Sequence, residues 1–257
     1  MTAFSKTKIA MQALFASTLL VAPIFGYADE PVDDVPQTVI ISGSKGSELL
    51  SYRLMLAGLD AFDEYHDLAP NADKVYYKLK MNGDSAETPE NVSLHIVGET
   101  TSILVPIASD GTFFLPRSTE ADDEDADLVL NKKKKDFLMH IGVFSAGVPD
   151  GMRRLGDLRL ECEIEMAMAK KQINFVVRAT VTTFLLTSHW CNAEKLNVPS
   201  FTERPISGAT IIAGEQHKEL KVLKDGHGYE APLNNKAFPD DALIEFKFVA
   251  EVEASKD

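Results

Sequence analysis

The chain has 257 residues, with 26 Lys and Arg against 39 Asp and Glu, a formal charge of −13. A surface that acidic repels phosphate backbones and anionic membrane faces, so no nucleic-acid partner is expected. Hydrophobic residues make up 45% of it, an ordinary share that supports one large or two small cores.

Residues 1–28 have the composition of a secretory signal peptide. Lys6 and Lys8 precede a mostly apolar run from Ile9 to Phe25, and Gly26-Tyr27-Ala28 places small residues where a signal peptidase cuts. Cleavage before Asp29 would remove the two lysines and leave 24 basic against 39 acidic residues, a formal charge of −15. No later stretch reaches the roughly 18 apolar residues that a membrane helix needs. The expectation is a periplasmic or secreted protein with no transmembrane segment after cleavage. In that compartment Cys162 and Cys191 are expected to form a disulfide. The alternative is a thiol nucleophile near His189. Trp190, the only tryptophan, is expected to pack on the disulfide.

Residues 29–46 read as a flexible acidic leader with a short strand at Thr38–Ser42. Apolar residues at Leu50, Leu54, Met55, Leu59 and Phe62 then recur at helical spacing, which predicts a helix over 47–65 with Ser47 as N-cap. From Lys74 the period drops to two. Val75, Tyr77, Leu79 and Met81 alternate with polar partners as a half-buried strand, followed by an Asn82-Gly83-Asp84 turn and a strand over Val92–Ile96. The stretch 98–116 reads as a hairpin, Ile103–Ile107 and Thr112–Leu115 about the turn Ser109-Asp110-Gly111. Phe137–Val143 alternates into another strand, and Gly147–Gly151 is the best linker candidate.

Beyond the linker, Arg153 and Arg154 are expected at the surface, and Leu158, Leu160 and Cys162 alternate as a strand. Residues 164–186 fit strand by their β-branched content and helix by their unbroken length; helix is the reading taken here. Ala209–Ala213, Glu219–Leu223, Tyr229–Leu233 and Ile244–Ala250 are the remaining strands, with an Asp225-Gly226 turn inside a second hairpin at 214–232.

Residues 120–135 are a charge block, acidic then basic. Asp122, Asp123, Asp125 and Asp127 are closely spaced oxygen donors suited to Ca²⁺, although the central Gly and distal Glu of an EF-hand loop are missing. A solvated loop is the plainer reading. His217 and His227 flank the second hairpin and are a weaker metal pair, since nothing supplies a third ligand. No phosphate loop, nucleophile elbow, H-E-x-x-H or C-x-x-C occurs in the chain.

The two hairpins echo one another at an offset of 116, with Gly98-Glu99, Leu104 and Pro116 matching Gly214-Glu215, Leu220 and Pro232. The fold expected is α+β and β-dominated: two similar antiparallel β-meander or sandwich-like modules, 47–146 and 152–257, each with one associated helix. The helix over 47–65 would correspond to 164–186. This arrangement resembles uncharacterised secreted (periplasmic) proteins of Gram-negative bacteria, a resemblance that carries over no functional residues. The function expected is an exported, non-enzymatic binding or interaction protein with an unknown protein or small-molecule partner. The alternatives are a hydrolase-type enzyme without a local motif and a divalent-cation binder using Asp122–Asp127.

Overall fold

The computed structural model describes residues 48–82 and 91–250. The signal segment, the leader and its strand, and the Gly83-Asp84 turn lie outside the described residues. The described chain is α+β with more strand than helix. It begins with β1 (Glu48–Ser51), α1 (Tyr52–Glu64), β2 (Ala72–Met81), β3 (Leu94–Val97), β4 (Ser102–Val105) and β5 (Thr112–Phe113). It continues with α2 (Thr119–Asp123), β6 (Asp127–Leu130), β7 (Phe137–Ser145), β8 (Met152–Arg154), α3 (Leu155–Gln172) and α4 (Phe175–Leu185). It closes with β9 (Ser200–Phe201), β10 (Ile206–Ala213), β11 (Gln216–Leu220), β12 (Gly228–Tyr229) and β13 (Leu243–Phe248).

Four antiparallel sheets result, ordered β1-β6-β3-β4, β5-β2-β7, β8-β13-β10-β11 and β9-β12. The first two enclose one core: Leu94, Ile96, Leu128 and Leu130 face Val75, Tyr77, Leu79 and Phe113, with Tyr52, Met55 and Phe62 of α1 alongside. The third sheet supplies Ile206, Ala209, Ile211, Ile244 and Phe246 to a second core. Alternation read along β2 and β13 therefore describes their buried and solvated faces correctly, because one face of each meets water.

Helix α3 joins the two cores. Leu155, Leu158 and Cys162 lie in the second core, whereas Leu160, Ile164 and Met168 lie in the first. This corrects the strand expected at Leu158–Cys162. Two residues advance a helix by about 200°, so a helix buried on opposite faces shows apolar residues at every second position, as a strand does. The segment expected as helix over 164–186 is helical but in two pieces: α3 starts at Leu155, and the chain breaks at Ile173-Asn174. There Asn174 caps α4, its side-chain oxygen accepting from the Val177 N–H at 3.0 Å. The α1 start is likewise later than expected, with Ser51 rather than Ser47 at the N-cap. The α1–α3 contact runs through Gly58, where a Cβ would lie 3.0 Å from Met168 Sδ and 3.2 Å from Ile164 Cγ2.

Side chains along α3 also clamp the surrounding loops. Asp157 accepts from the Ser145 N–H (2.9 Å) and hydroxyl (2.6 Å), and Glu161 accepts from the Val143 N–H (2.7 Å) and from Arg153. Arg153 also donates to the Val143 carbonyl (2.9 Å), and Arg154 donates to the Leu68 carbonyl (2.6 Å). These two arginines are thus part of the joint between β7, β8 and α3 rather than the surface residues expected. Arg159 donates to the carbonyls of Leu233, Asn235 and Phe238 and pairs with Asp240.

The hairpins expected at 98–116 and 214–232 are not hairpins. Both Asp-Gly turns form, with Gly111 at φ 84° and Gly226 at φ 72°, a region open mainly to glycine. Yet β4 pairs with β3 and β11 with β10, while β5 and β12 join β2 and β9; only the single bridges Ile107–Phe113 and Val222–Tyr229 cross the turns. Pro106, lacking an N–H, cannot extend the β4 ladder. The chain instead turns from one sheet to another.

The two larger sheets share one strand order. Each begins with the strand preceding a helix, then a strand from later in the chain, then a pair of consecutive strands that lie between those two in sequence: β1-β6-β3-β4 and β8-β13-β10-β11. The helix after the first strand is α1 in one and α3 in the other, which corrects the correspondence expected for 164–186. The start of each helix is held alike, Tyr52 N–H to the Ala126 carbonyl and Leu155 N–H to the Ala242 carbonyl, both at 2.8 Å.

Because α3 walls both cores, Leu158→Ala (second core) and Leu160→Ala (first core) are each expected to lose about 3 kcal/mol. Both should shift one shared unfolding transition in urea, followed by circular dichroism. Two separable transitions, each moved by only one of the variants, would contradict the shared wall.

Candidate functional site

The pocket of interest lies where the C-terminal end of α1, the middle of α3 and the turn after α4 meet. Its volume is about 240 Å³, and its lining is Tyr65, Leu68, Arg159, Glu163, His189, Cys191 and Asn192. This is small beside the roughly 300–1,000 Å³ usual for small-molecule sites. The Cys162–Cys191 disulfide, with Cα atoms 5.9 Å apart, closes one wall. It ties α3 to the 3-10 turn at Trp190–Asn192, not to a strand, and in the chain-entropy picture a loop of this length stabilises by about 3.5 kcal/mol.

Two groups in the pocket carry chemistry. Glu163 is buried, and among the described residues no donor reaches its oxygens in hydrogen-bonding geometry. Burial pushes its carboxyl above the usual range; Lys170 and His189 oppose that shift and Glu64 adds to it. His189 is exposed and meets the edge of Tyr65, ring centroids 6.4 Å apart. Tyr65 is itself raised to about 12 by burial, helped by Glu64 and Glu163. A carboxyl and an imidazole lining one pocket are the residue types that a general acid–base step uses. Arg159, the one cation in the lining, is already committed to three carbonyls and Asp240.

Immediately next to this pocket stands α4, FVVRATVTTFL. Only Leu185 of its residues is buried. Phe175 is 73% exposed, Val176 70%, Phe184 65% and the following Leu186 80%. Beneath it, Leu185, Trp190 and Ala193 form a small third cluster with Val181 and Met166, and Trp190 Nε1 donates to Thr182 Oγ1 at 3.2 Å. Trp190 thus serves as the footing of α4 rather than packing on the disulfide. Leu186 caps the helix in the left-handed region at φ 59°, a conformation unusual for a bulky residue.

The acidic block expected to be a loop forms α2 and β6. Ser118 caps α2 by accepting from the Ala121 N–H at 3.2 Å. Asp122 and Asp125 both pair with Arg53, and Asp127 lies within β6 opposite Ser51 and Val97. Glu124 accepts from the Thr100 and Thr101 N–H groups and the Thr100 hydroxyl, which lower it to about 2. Among the described residues, no group of three or more His, Cys, Asp or Glu is placed to hold a metal ion. Asp122, Asp123, Asp125 and Asp127 are not brought together with a further donor, and His217 and His227 gain no third ligand.

Sequence reasoning named neither Glu163 nor α4 as a site. Glu163 sits in an ordinary run of helix residues, and nothing local marks it. The signal for α4 was present: Met166–Ala193 contains no Asp or Glu, in a chain whose average density would put about four there. Compared with known proteins, the chain matches no family model, no curated protein and no solved structure.

Along the same helix, burial together with the Glu161 carboxyl raises Glu165 from 4.5 to about 7. The folded state therefore holds this proton more tightly than the unfolded chain. Its charge destabilises nothing below the unfolded value, and the penalty grows as pH rises through 7. Glu165→Gln is expected to leave stability unchanged at pH 4 and to raise it by about 2 kcal/mol at pH 8, as measured by urea denaturation. Coincident curves at pH 8 would contradict this.

Proposed function

We propose that the protein is an exported, non-enzymatic binding or interaction module that engages its partner through α4. The observation carrying this reading is the exposure of Phe175, Val176 and Phe184 on one short helix and of Leu186 at its cap. Large apolar side chains left in water together on one element of a folded chain mark an interaction surface. The disulfide supports export, since such bonds persist in oxidising compartments. The shared strand order and matching helix anchors support descent of the two β-rich units from one duplicated module. The bridges at Ile107–Phe113 and Val222–Tyr229 add to that support.

A photo-crosslinking side chain at Val176, in the cell that makes the protein, is expected to give an adduct that the same group at exposed Lys132 does not. Identical patterns at the two positions, or no adduct from Val176, would count against α4 as the contact surface.

A second reading, a hydrolase-type enzyme, rests on Glu163 and His189 sharing a pocket. It expects turnover of a panel of chromogenic esters, amides and glycosides that Glu163→Gln lowers at least a hundredfold, in line with loss of a general acid–base group. Turnover unchanged by Glu163→Gln would remove it.

A further inference from the structure

We infer that α4 seats the protein on an anionic lipid surface, a step that rests on reading α4 as the contact surface and names what it contacts. The chain as a whole is repelled by such a surface, but its charge is unevenly placed. Met166–Ala193 carries Lys170, Lys171 and Arg178 with no acidic residue, and Glu194 and Lys195 follow. Two of these cations, Arg178 and Lys195, sit beside exposed aromatic rings. Arg178 lies 5.8 Å from the Phe175 centroid and Lys195 5.1 Å from that of Phe184; Lys195 Nζ also reaches the Phe184 carbonyl at 3.3 Å. Lys170 rests over Trp190 at 5.1 Å. Val176, Val177 and Phe184, all exposed, share an arc of about 100° around α4. Apolar side chains fringed by long cationic ones are what an interfacial helix presents, the apolar groups entering the acyl boundary and ammonium or guanidinium groups remaining with the phosphates.

Length and screening agree with seating rather than spanning. The 11 residues of α4 extend about 16 Å, half the roughly 30 Å of a hydrocarbon core. Among the described residues no helix is long and apolar enough to cross a membrane. At physiological salt, charges more than about 8 Å from the lipid are largely screened, so the acidic remainder of the surface weakens the contact little once α4 faces the bilayer. The occupant's chemistry is set by the sign of the fringe: a neutral surface would use the apolar side chains alone, and an anionic one uses the cations as well.

The test is flotation of the disulfide-bonded chain beginning at Asp29 with vesicles of phosphatidylcholine alone or with about one-third phosphatidylglycerol. At least tenfold more protein is expected to float with the anionic vesicles. Val177→Ser/Phe184→Ser should reduce that tenfold or more. Lys171→Glu/Arg178→Glu should reduce it several-fold and flatten its dependence on salt. Val176→Glu, a single change at a 70% exposed position, serves as a second apolar variant should the double change disturb folding, and it should also reduce flotation. Failure of the parent to float, equal flotation with both vesicles, or flotation indifferent to the charge changes would overturn the proposal. Concentration-dependent dimerisation in light scattering, abolished by Val176→Glu and unaccompanied by flotation, would assign α4 to a second copy. In that case the interaction reading would stand and the lipid reading would fall. A Val176 adduct to a protein alone has the same meaning.

Discussion

The fold rests on one helix with no solvent face to spare. Leu158 and Cys162 of α3 complete the second core, Leu160 and Ile164 complete the first, and the residues between them fasten the neighbouring backbone. Asp157 and Glu161 take N–H groups at the end of β7, and Arg159 holds the 233–240 loop. Such buried polar contacts are costly to leave half made, so they select one alignment of strands and loops around the helix. The apolar faces supply most of the stabilisation, and the carboxylates and guanidinium groups determine which segment lies where.

The same helix organises the candidate site. Glu163 emerges from the face between the clamps, and the disulfide from Cys162 brings the turn after α4 against it. Covalent anchoring at Cys191 and the Trp190–Thr182 contact hold the base of α4 while its outer surface remains in water. A helix retained in this way needs little packing of its own, which is how so apolar an element can stay exposed on a folded chain.

Legibility in the sequence followed how many faces of an element meet water. Strands β2, β7 and β13 have one wet face, and their alternation was readable. In α3 both faces are buried, and a helix so placed gives the period of a strand. The Asp-Gly turns were readable because φ above zero needs glycine locally, but their flanking strands pair elsewhere, and pairing is decided by sheets assembled from distant segments. Ser118, Arg53 and Thr100 turn the acidic block into a capped helix and satisfied ion pairs, and none of those partners is visible from the block itself. For α4, an apolar window has the same composition whether it is covered or bare; only the missing acidic residues separated the two cases.

The position of α3 also sets an order of assembly. As the chain is made from its N-terminus, all the strands of the first core exist before the residues that close it do. Leu160, Ile164 and Met168 must be synthesised before that core is sealed, and Cys191 must follow before the covalent tie can form. The first half therefore waits on the second, with its sheets unsealed, and any factor that shields nascent chains would meet it in that interval.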